Sequence, residues 1–282
     1  MTHGVIGRGS FTARTLASLA QRDRVRLIDC RASLESADLG GLTCLLNCSF
    51  DPRMNIDPYD EDHDLDLRWA RLARQADLHY VMLSSRKVYA EDEQFGACEE
   101  SKVVGLDAYG RNKVETEKRL RDTLPPGKLT ILRIGNLIGM EYPRDRSSLM
   151  GYMLGELASK DCIEFTQSPF SRRDCLPFEV GADAMLRIMD QRIAGTYNLG
   201  AGFATMIGEI ALWLIAGYGS GKLHAQVGGA HGEFCLRVDK LAKQIPLSFS
   251  RDQLENYCLE LGRSLRRLLS GESGRLPEYR SA

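Results

Sequence analysis

The sequence predicts an α/β fold in which a doubly wound parallel sheet is followed by a smaller C-terminal lobe. Two patterns support this fold class. In the first half of the chain, short apolar or β-branched runs alternate with helical patterns, which is typical of βαβ units. Beyond Gly139, longer helical and irregular stretches replace this alternation, so the second half is predicted to form a separate lobe.

The strands and helices of the first half can be placed one after another. Apolar runs predict strands at residues 5–6, 24–28, 43–47, 80–83 and 129–133, and helical patterns lie at residues 10–21, 65–75 and 109–121. Pro125 and Pro126 end the third of these helices before the last strand begins.

The second half is predicted to contain helices at residues 149–160 and 206–218 and a C-terminal helix. Apolar residues at helical spacing in that last helix are expected to pack against the first lobe, and they are Leu254, Cys258, Leu261, Leu265 and Leu268. We predict a first domain at residues 1–139 and a lobe at residues 140–270, whose segment 177–200 returns to the sheet. A flexible tail is expected at residues 271–282.

Composition excludes several classes of function. The 282 residues include 37 Lys and Arg against 38 Asp and Glu, so the formal net charge is −1 and no basic excess favours nucleic acid or a membrane surface. A small polar substrate is expected instead. No apolar run approaches the roughly 20 residues that cross a bilayer, and the N-terminus lacks the pattern of a signal peptide.

The eight cysteines and the acidic residues predict no metal site. No CxxC pair occurs and no cysteine has a histidine at zinc spacing, so free thiols in a reducing, cytoplasmic compartment are expected. Acidic residues crowd around His63, but their spacing matches no EF-hand or HExxH pattern. These residues are predicted to form a solvated loop and first helical turn, and they are Asp57, Asp60, Glu61, Asp62, Asp64 and Asp66.

A turn of small residues joins the first predicted strand to the first predicted helix. Gly7, Gly9 and Ser10 stand where a backbone must approach a pyrophosphate, and Phe11 follows them. Thr12 replaces the last glycine of the GxGxxG pattern, so the turn alone does not define a site. Its position between a strand and a helix predicts a Rossmann-type dinucleotide site that includes these residues.

The end of the second strand indicates how an adenosine ribose would be held. Asp29 closes this strand about 20 residues after the glycine turn, where a carboxylate accepts from ribose hydroxyls and favours NAD. Arg31 and Arg8 lie nearby and would pair with the 2′-phosphate of NADP. The cofactor is therefore predicted as NAD(P)H, with Asp29 and Arg31 among its ligands.

Tyr109 and Lys113 are one helical turn apart on the same face of a predicted helix. A tyrosine takes part in proton transfer near neutrality when a cation favours its phenolate, and Lys113 would supply that charge. Ser84 and Ser85 lie at the carboxyl end of an apolar strand, where open α/β sheets present ligand-binding groups.

Several motifs resemble those of the extended short-chain dehydrogenase/reductases, the family of sugar-nucleotide epimerases, dehydratases and ketoreductases. Their order and spacing match along nearly the whole chain. Besides the glycine turn, they are SSRKVY at residues 84–89, YGRNK at 109–113, LRIGNLIG at 132–139, RRDCLPF at 172–178 and GTYNLG at 195–200.

This resemblance implies a catalytic triad of Ser85, Tyr109 and Lys113 beside a nicotinamide cofactor. Lys113 would hold the nicotinamide ribose and favour the phenolate, Tyr109 would transfer a proton, and Ser85 would hydrogen-bond the reacting oxygen. The cofactor would supply the hydride.

The resemblance also implies a nucleotide-sugar substrate and a homodimer. Asn136 would contact the sugar nucleotide, Arg173 would lie near its nucleotide end, and Arg86 is predicted to bind the substrate as well. Relatives commonly dimerise through the helix that carries Tyr109.

Three departures from the family pattern narrow the reaction. Arg86 and Lys87 occupy the positions where sugar dehydratases carry an acid pair. Arg86 also replaces the cysteine that the bifunctional GDP-fucose synthases use for epimerisation. The connection at residues 30–42 is too short for the usual helix, strand and helix, so one strand is expected to be missing or merged, as in the ketoreductase branches.

These departures favour an NAD(P)H-dependent reductase of a nucleotide-linked 4-keto (6-deoxy) sugar. A 4-epimerase, which keeps its NAD bound and needs no net reductant, is the first alternative. A non-catalytic sensor of dinucleotides or sugar nucleotides is the second, favoured by the incomplete glycine pattern and opposed by the intact triad.

Overall fold

A six-stranded parallel sheet with connecting helices forms the first structural unit of the protein. The computed structural model describes residues 1–20, 24–32, 38–142, 148–225 and 232–271. Apart from Gly271, the predicted flexible tail at residues 271–282 lies outside these ranges. In chain order the elements are β1 (Thr2–Ile6), α1 (Phe11–Leu19), β2 (Val25–Ile28), β3 (Leu42–Asn47), α2 (Leu65–Gln75), β4 (His79–Ser85), β5 (Phe95–Ala97), α3 (Ala108–Thr123), β6 (Leu129–Ile134), β7 (Asn136–Ile138), α4 (Leu149–Lys160), β8 (Cys162–Phe165), β9 (Arg172–Arg173), β10 (Cys175–Pro177), α5 (Phe178–Gln191), β11 (Gly195–Leu199), β12 (Thr205–Met206), α6 (Ile207–Tyr218), β13 (Lys222–Ala225), β14 (Cys235–Leu236), α7 (Asp239–Ala242) and α8 (Arg251–Ser270).

The strand order of the central sheet is β11-β6-β4-β3-β1-β2, and every neighbouring pair is parallel. The predicted α/β class with a doubly wound parallel sheet is therefore confirmed. The chain adds β2 on one side of β1 and β3 on the other, and open α/β sheets bind ligands at the strand ends beside such a reversal. Among the described residues no strand of this sheet lies beyond β2, which agrees with the short connection at residues 30–42.

The inner strands form because their apolar runs are covered on both faces of the sheet. Leu45 in β3 and Tyr80 and Met82 in β4 are fully buried, and Trp69 of α2 packs in the same cluster. Complete burial of a large apolar side chain contributes about 1.5–3 kcal/mol to folding. The carboxyl ends of these strands are therefore held in fixed positions relative to one another.

Side-chain caps fix where the helices beside these strand ends begin. Ser10 Oγ accepts from the Ala13 N–H at the start of α1, and Asp107 Oδ1 accepts from the Gly110 N–H at the start of α3. The first turn of α3 therefore includes Tyr109.

The chain divides into two compact units, each built from three segments. The first unit comprises Met1–Gly135, Gly181–Leu199 and Leu236–Leu247, and the second comprises Asn136–Val180, Gly200–Cys235 and Ser248–Ala282. Strand β11 lies in the segment 177–200 and pairs with β6 in the central sheet.

Helices α4, α6 and α8 contribute to an apolar core in the second unit. Helices α6 and α8 cross closely because Gly217 and Gly262 carry no side chains. A Cβ on Gly217 would collide with the Leu259 carbonyl oxygen, and one on Gly262 would collide with that of Leu214. The crossing therefore depends on glycine in both helices.

Helix α8 corrects one expectation from the sequence. The sequence predicts that its apolar residues pack against the first lobe, but four of them are buried in the core of the second unit. They are Leu254, Cys258, Leu261 and Leu265. Leu268 is 50% exposed because it lies in the last turn, beyond the core. No helix within the described ranges has both the length and the apolar character needed to span a bilayer.

Candidate active site

The turn between β1 and α1 requires a glycine at its first position. Gly7 has a φ of +98°, and a Cβ there would lie 3.1 Å from the Ser49 backbone nitrogen and 3.2 Å from the Cys48 carbonyl carbon. The Gly7 N–H donates to the Ile28 carbonyl oxygen. The turn is therefore held between the end of β2 and the loop that follows β3.

The first turn of α1 has features that suit an anion. It carries no acidic side chain, and a helix N-terminus presents backbone N–H groups and a partial positive charge. A Cβ on Gly9 would meet nothing within 4 Å, so the space beside this backbone is open. Ser10 caps the helix and Phe11 is its first residue. The predicted cofactor residues 7 and 9–11 thus share one turn whose backbone fits a pyrophosphate.

Asp29 and Arg31 follow the carboxyl end of β2, the strand beside β1. Both residues are exposed, and Asp29 Oδ1 accepts from the Arg31 backbone N–H at 2.9 Å. A carboxylate and a guanidinium group thus lie at the same strand end. Their chemistry suits a ribose hydroxyl and a 2′-phosphate respectively.

Ser85 ends β4, and α3 packs against the turn that follows it. Ser85 Oγ accepts from the Lys87 N–H at 3.2 Å, which leaves the hydroxyl hydrogen able to donate elsewhere. A Cβ on Gly110 would collide with the Lys87 carbonyl oxygen, so glycine in the YGRNK motif permits the close approach of the helix. The structure therefore brings the first turn of α3, with Tyr109, against the turn that begins at Ser85.

Tyr109 and Lys113 lie one turn apart on α3 and share Phe50 as a neighbour. The ring centroids of Phe50 and Tyr109 are 5.1 Å apart in an edge-on arrangement. Lys113 Nζ lies 5.0 Å from the Phe50 ring centroid, within the range of a cation–π contact. The loop after β3 therefore contacts both predicted catalytic residues of α3.

Lys113 is a buried cation that is neutralised by Asp66 of α2. Its Nζ lies 3.2 Å from Asp66 Oδ2, and each of the two residues is 4% exposed. Asp66 Oδ1 also accepts from Asn47 Nδ2 at 2.9 Å and from the Tyr80 hydroxyl at 3.0 Å. Burial alone would lower the pKa of Lys113, but the Asp66 carboxylate and the Tyr109 phenolate raise it. Lys113 is thus held in its charged form.

A second buried acid, Asp64, ties α2 to α3. Its carboxylate caps α2 at the Leu67 N–H and accepts from the hydroxyls of Tyr59 at 2.7 Å and Thr116 at 2.8 Å. A small pocket opens beside Asp64, Asp66 and Lys113. The two acids therefore fix the position of the helix that carries the predicted catalytic pair.

The burial of Asp64 and Asp66 corrects the expected solvated acidic loop. Each is 4% exposed, and each has a partner on α3: Lys113 pairs with the Asp66 carboxylate, and the Thr116 hydroxyl donates to that of Asp64. Sequence reasoning missed Asp66, although one signal was present. On a helix it shares a face with Trp69 and Ala73, which are both buried.

Lys87 lies beside Tyr109 as a second cation. Its Nζ donates to Asp107 Oδ2 at 2.6 Å and lies 5.8 Å from the Tyr109 ring centroid. From the sequence, Lys87 was interpreted only as a departure from the dehydratase pattern. The ion pair with the N-cap of α3 instead places its charge next to the phenol.

The three predicted substrate residues lie in different parts of the fold. Arg86 is in the first unit and donates from Nη1 to Gln94 Oε1 at 2.6 Å. In the second unit, Asn136 begins β7 and pairs with Cys175 of β10, while Arg173 in β9 donates to Gln167 Oε1 at 3.3 Å. Their binding of a substrate stays a prediction.

Comparison by sequence finds no match for the chain, either among models of protein families or among curated proteins. Comparison by structure does find matches. The chain superposes on the UDP-glucuronic acid 4-epimerase from Bacillus cereus, solved with UDP-glucuronic acid and NAD, with a TM-score of 0.73 and 15% identity over 95% of this chain and 100% of that one.

Two further solved structures that match are of enzymes named for other reactions. The dTDP-glucose 4,6-dehydratase from Bacillus anthracis, in complex with NAD, matches with a TM-score of 0.72 and 13% identity over 95% of this chain and 99% of that one. The dTDP-4-dehydrorhamnose reductase from Yersinia enterocolitica matches with a TM-score of 0.70 and 13% identity over 91% and 98%. These matches confirm the predicted resemblance at the level of the fold, which is the Rossmann-type fold of sugar-nucleotide epimerases, dehydratases and reductases.

Proposed function

We propose that this chain is an NAD(P)H-dependent oxidoreductase that reduces a nucleotide-linked 4-keto (6-deoxy) sugar to the 4-hydroxy sugar. The observation that carries the proposal is the arrangement of the first unit. A charged, buried Lys113 lies one turn from Tyr109, and that turn packs against the end of the strand that carries Ser85. The glycine turn lies at the carboxyl end of β1 in the same sheet.

The chain offers a set of ligands for each part of the dinucleotide. The backbone at Gly7, Gly9, Ser10 and Phe11 would hold the pyrophosphate, since the turn has no acidic group and an open side at Gly9. Asp29 and Arg31 would contact the adenosine ribose, and Lys113 would contact the nicotinamide ribose. When bound, the cofactor supplies the hydride.

The protein side chains would supply the proton and stabilise the charge on the reacting oxygen. Lys113, kept cationic by Asp66, favours the phenolate form of Tyr109 after that residue has given its proton to the new hydroxyl. Ser85 accepts from the Lys87 N–H and so can direct its own hydrogen towards the same oxygen. Lys87 adds a second positive charge beside the phenol.

The residues after Ser85 favour reduction over dehydration. Elimination of water needs a general acid and base beside the substrate, whereas Arg86 and Lys87 are cations paired with Gln94 and Asp107. A 4-epimerase would use the same triad, and the similarity to a 4-epimerase fold keeps that reaction as the alternative.

One assay separates these reactions. Purified protein is mixed with NADH or NADPH and a 4-keto-6-deoxy sugar nucleotide, and the absorbance of the reduced nicotinamide is followed. We expect loss of one reduced cofactor for each 4-hydroxy sugar formed. Conversion of a 4-hydroxy sugar nucleotide into its epimer without net cofactor loss would replace the proposal with the epimerase. Binding of both ligands without turnover would replace it with the sensor.

Tyr109→Phe tests the role of the phenol in that assay. We expect turnover to fall at least about 100-fold, because proton transfer in the transition state is lost, while NADH affinity measured by fluorescence is retained. Tyr197→Phe is the matched control, since Tyr197 lies on β11, the edge strand of the same sheet, and its hydroxyl donates to the Ala194 carbonyl oxygen. Equal rates for wild type and Tyr109→Phe would exclude Tyr109 as the proton donor.

A further inference from the structure

Strands β8 and β13 form a parallel two-stranded ribbon in the second unit, and its two faces differ in character. In β8, Ile163 and Phe165 are buried in the core, so Cys162 and Glu164 point to the opposite face. Register pairs His224 of β13 with Glu164, which places its side chain on that same outer face. Three metal-binding residue types therefore meet on one surface of the ribbon.

The donor atoms of these three side chains are close together. The Cys162 sulfur, a Glu164 carboxylate oxygen and a His224 ring nitrogen all lie within 4.8 Å of one another. His224 Nδ1 and Glu164 Oε1 are 3.8 Å apart. Glu164 and His224 are exposed and Cys162 is the most buried of the three, so solvent reaches the cluster from the side of Glu164 and His224.

We propose that Cys162, Glu164 and His224 bind a divalent ion of the zinc class. Zinc accepts thiolate, imidazole and carboxylate ligands at about 2.0–2.3 Å, so neighbouring donors in a tetrahedral site lie about 3.3–3.7 Å apart. The observed separations differ from that range by about an ångström at most, which small side-chain rotations can close. Water would complete the coordination, because the described part of the chain supplies three protein ligands to the cluster.

Binding of the ion would release the proton of the Cys162 thiol to solvent, since the thiolate is the ligand form of cysteine. By coordinating side chains of both β8 and β13, the ion would also link the two strands. Lys222 pairs with Cys162 in the register and shares the outer face, but it is exposed, so its flexible stem can carry the ammonium group into solvent.

The sequence could not predict this site because its ligands come from two distant segments. Cys162 and Glu164 are separated from His224 by an interval that matches no zinc motif, and only the register of β8 with β13 aligns them. The three residues lie wholly in the second unit, whereas Ser85, Tyr109 and Lys113 lie in the first. The proposal is therefore independent of the proposed reaction.

Cobalt titration of the full chain, reduced and without an affinity tag, tests the site. We expect tetrahedral cobalt bands in the visible range and a thiolate-to-cobalt charge-transfer band in the near ultraviolet, each saturating at one ion per chain. Added zinc should displace the cobalt and abolish both bands. The absence of a charge-transfer band at saturating cobalt would overturn the proposal.

Variants assign the ligands. Cys162→Ser should abolish the charge-transfer band, and His224→Gln should weaken cobalt binding at least about 10-fold because a nitrogen ligand is lost. Cys98→Ser is the matched control, since Cys98 is another partly buried thiol and lies outside the cluster. Circular dichroism confirms that each variant is folded. A charge-transfer band that persists in Cys162→Ser, or disappears in Cys98→Ser, would place the thiolate ligand elsewhere.

Discussion

Lys113 is the residue on which the proposed proton transfer most depends, because it is a cation held inside the protein. A buried ammonium group is stable only when a carboxylate compensates for the water it has lost. Asp66 does this at 3.2 Å through Oδ2, and Asn47 and Tyr80 both donate to Oδ1 of that carboxylate. The positive charge beside Tyr109 is therefore supplied by the fold itself.

Asp66→Asn should remove the carboxylate that keeps Lys113 charged inside the protein. Without the carboxylate, burial lowers the pKa of Lys113, so the alkaline limb of the pH–rate profile is expected to shift to lower pH. The unpaired buried charge should also cost about 3–5 kcal/mol of unfolding free energy at neutral pH. In the wild type, the ion pair with Asp66 raises the pKa of Lys113 in the folded state. The ion pair therefore stabilises the fold fully below the ordinary lysine pKa, and this stabilisation is lost as the pH rises through the pKa of Lys113 in the folded protein.

Asp62→Asn provides the control for that substitution. Asp62 belongs to the same acidic run but is exposed, so the neutral amide should leave both the pH–rate profile and stability unchanged. Turnover is measured across the alkaline range and stability by urea unfolding. If the alkaline limb of Asp66→Asn coincides with that of the wild type, Asp66 does not control the charge of Lys113.

The glycines of the first turn should respond differently to a methyl group. Gly7→Ala introduces a side chain at a φ of +98° and against the backbone of Cys48 and Ser49, so a loss of about 1–3 kcal/mol of unfolding free energy is expected. Gly9→Ala meets nothing within 4 Å, so it should leave stability unchanged and instead weaken NADH binding, where the methyl group would oppose the pyrophosphate. Thermal unfolding and NADH fluorescence titration measure the two effects. A Gly9→Ala variant with unchanged NADH affinity would exclude close approach of the dinucleotide at this position.

At the scale of elements, a methyl group added where α6 and α8 cross should lower stability more than one added at an exposed helix position. Gly262→Ala would place a Cβ against the Leu214 carbonyl oxygen and force the helices apart, with an expected loss of about 1–3 kcal/mol. Gly155→Ala in α4 is the control, since a Cβ there meets nothing within 4 Å, and it should stabilise the helix by about 0.5–1 kcal/mol. Urea unfolding that ranks the two variants in the opposite order would contradict the observed crossing.

The longer elements were predictable because their signals are local. The helix predicted at residues 109–121 is observed as Ala108–Thr123, where Asp107 caps its start and Pro125 follows its end. The strand predicted at residues 80–83 is observed as His79–Ser85. Short strands such as β9 and β12 were not predictable, since two residues carry no periodicity and pair only after the chain has folded.

The candidate site was predictable only where a motif carried it. Ser85, Tyr109, Lys113 and the glycine turn lie in motifs that resemble those of the extended short-chain dehydrogenase/reductases, and their roles stay predictions. Asp66 could not be predicted in this way, because its role depends on a contact with a residue 47 positions away. The predicted contacts of Asn136 and Arg173 with a substrate, the dimer and the domain boundaries stay predictions.

At the scale of the whole molecule, a buried histidine joins several elements of the first unit. His79 begins β4 and is 1% exposed, and its Nε2 lies 2.6 Å from Thr130 Oγ1 in β6. The Thr130 hydroxyl in turn donates to the Ile193 carbonyl oxygen, beyond the end of α5. Protonation of His79 would bring a charge into this buried region.

Burial lowers the pKa of His79 from its ordinary value of 6.5 to about 4. Between these values the unfolded chain binds the proton and the folded chain does not. The contribution of neutral His79 to stability is therefore complete above about pH 6.5 and is lost as the pH falls towards 4, on the order of 3 kcal/mol in total.

His79→Asn, which cannot titrate, should lose some stability at pH 7 but show a flatter decline on acidification. Urea unfolding from pH 7 to pH 4 measures the slopes, and parallel curves for wild type and His79→Asn would show that His79 titrates normally in the folded protein.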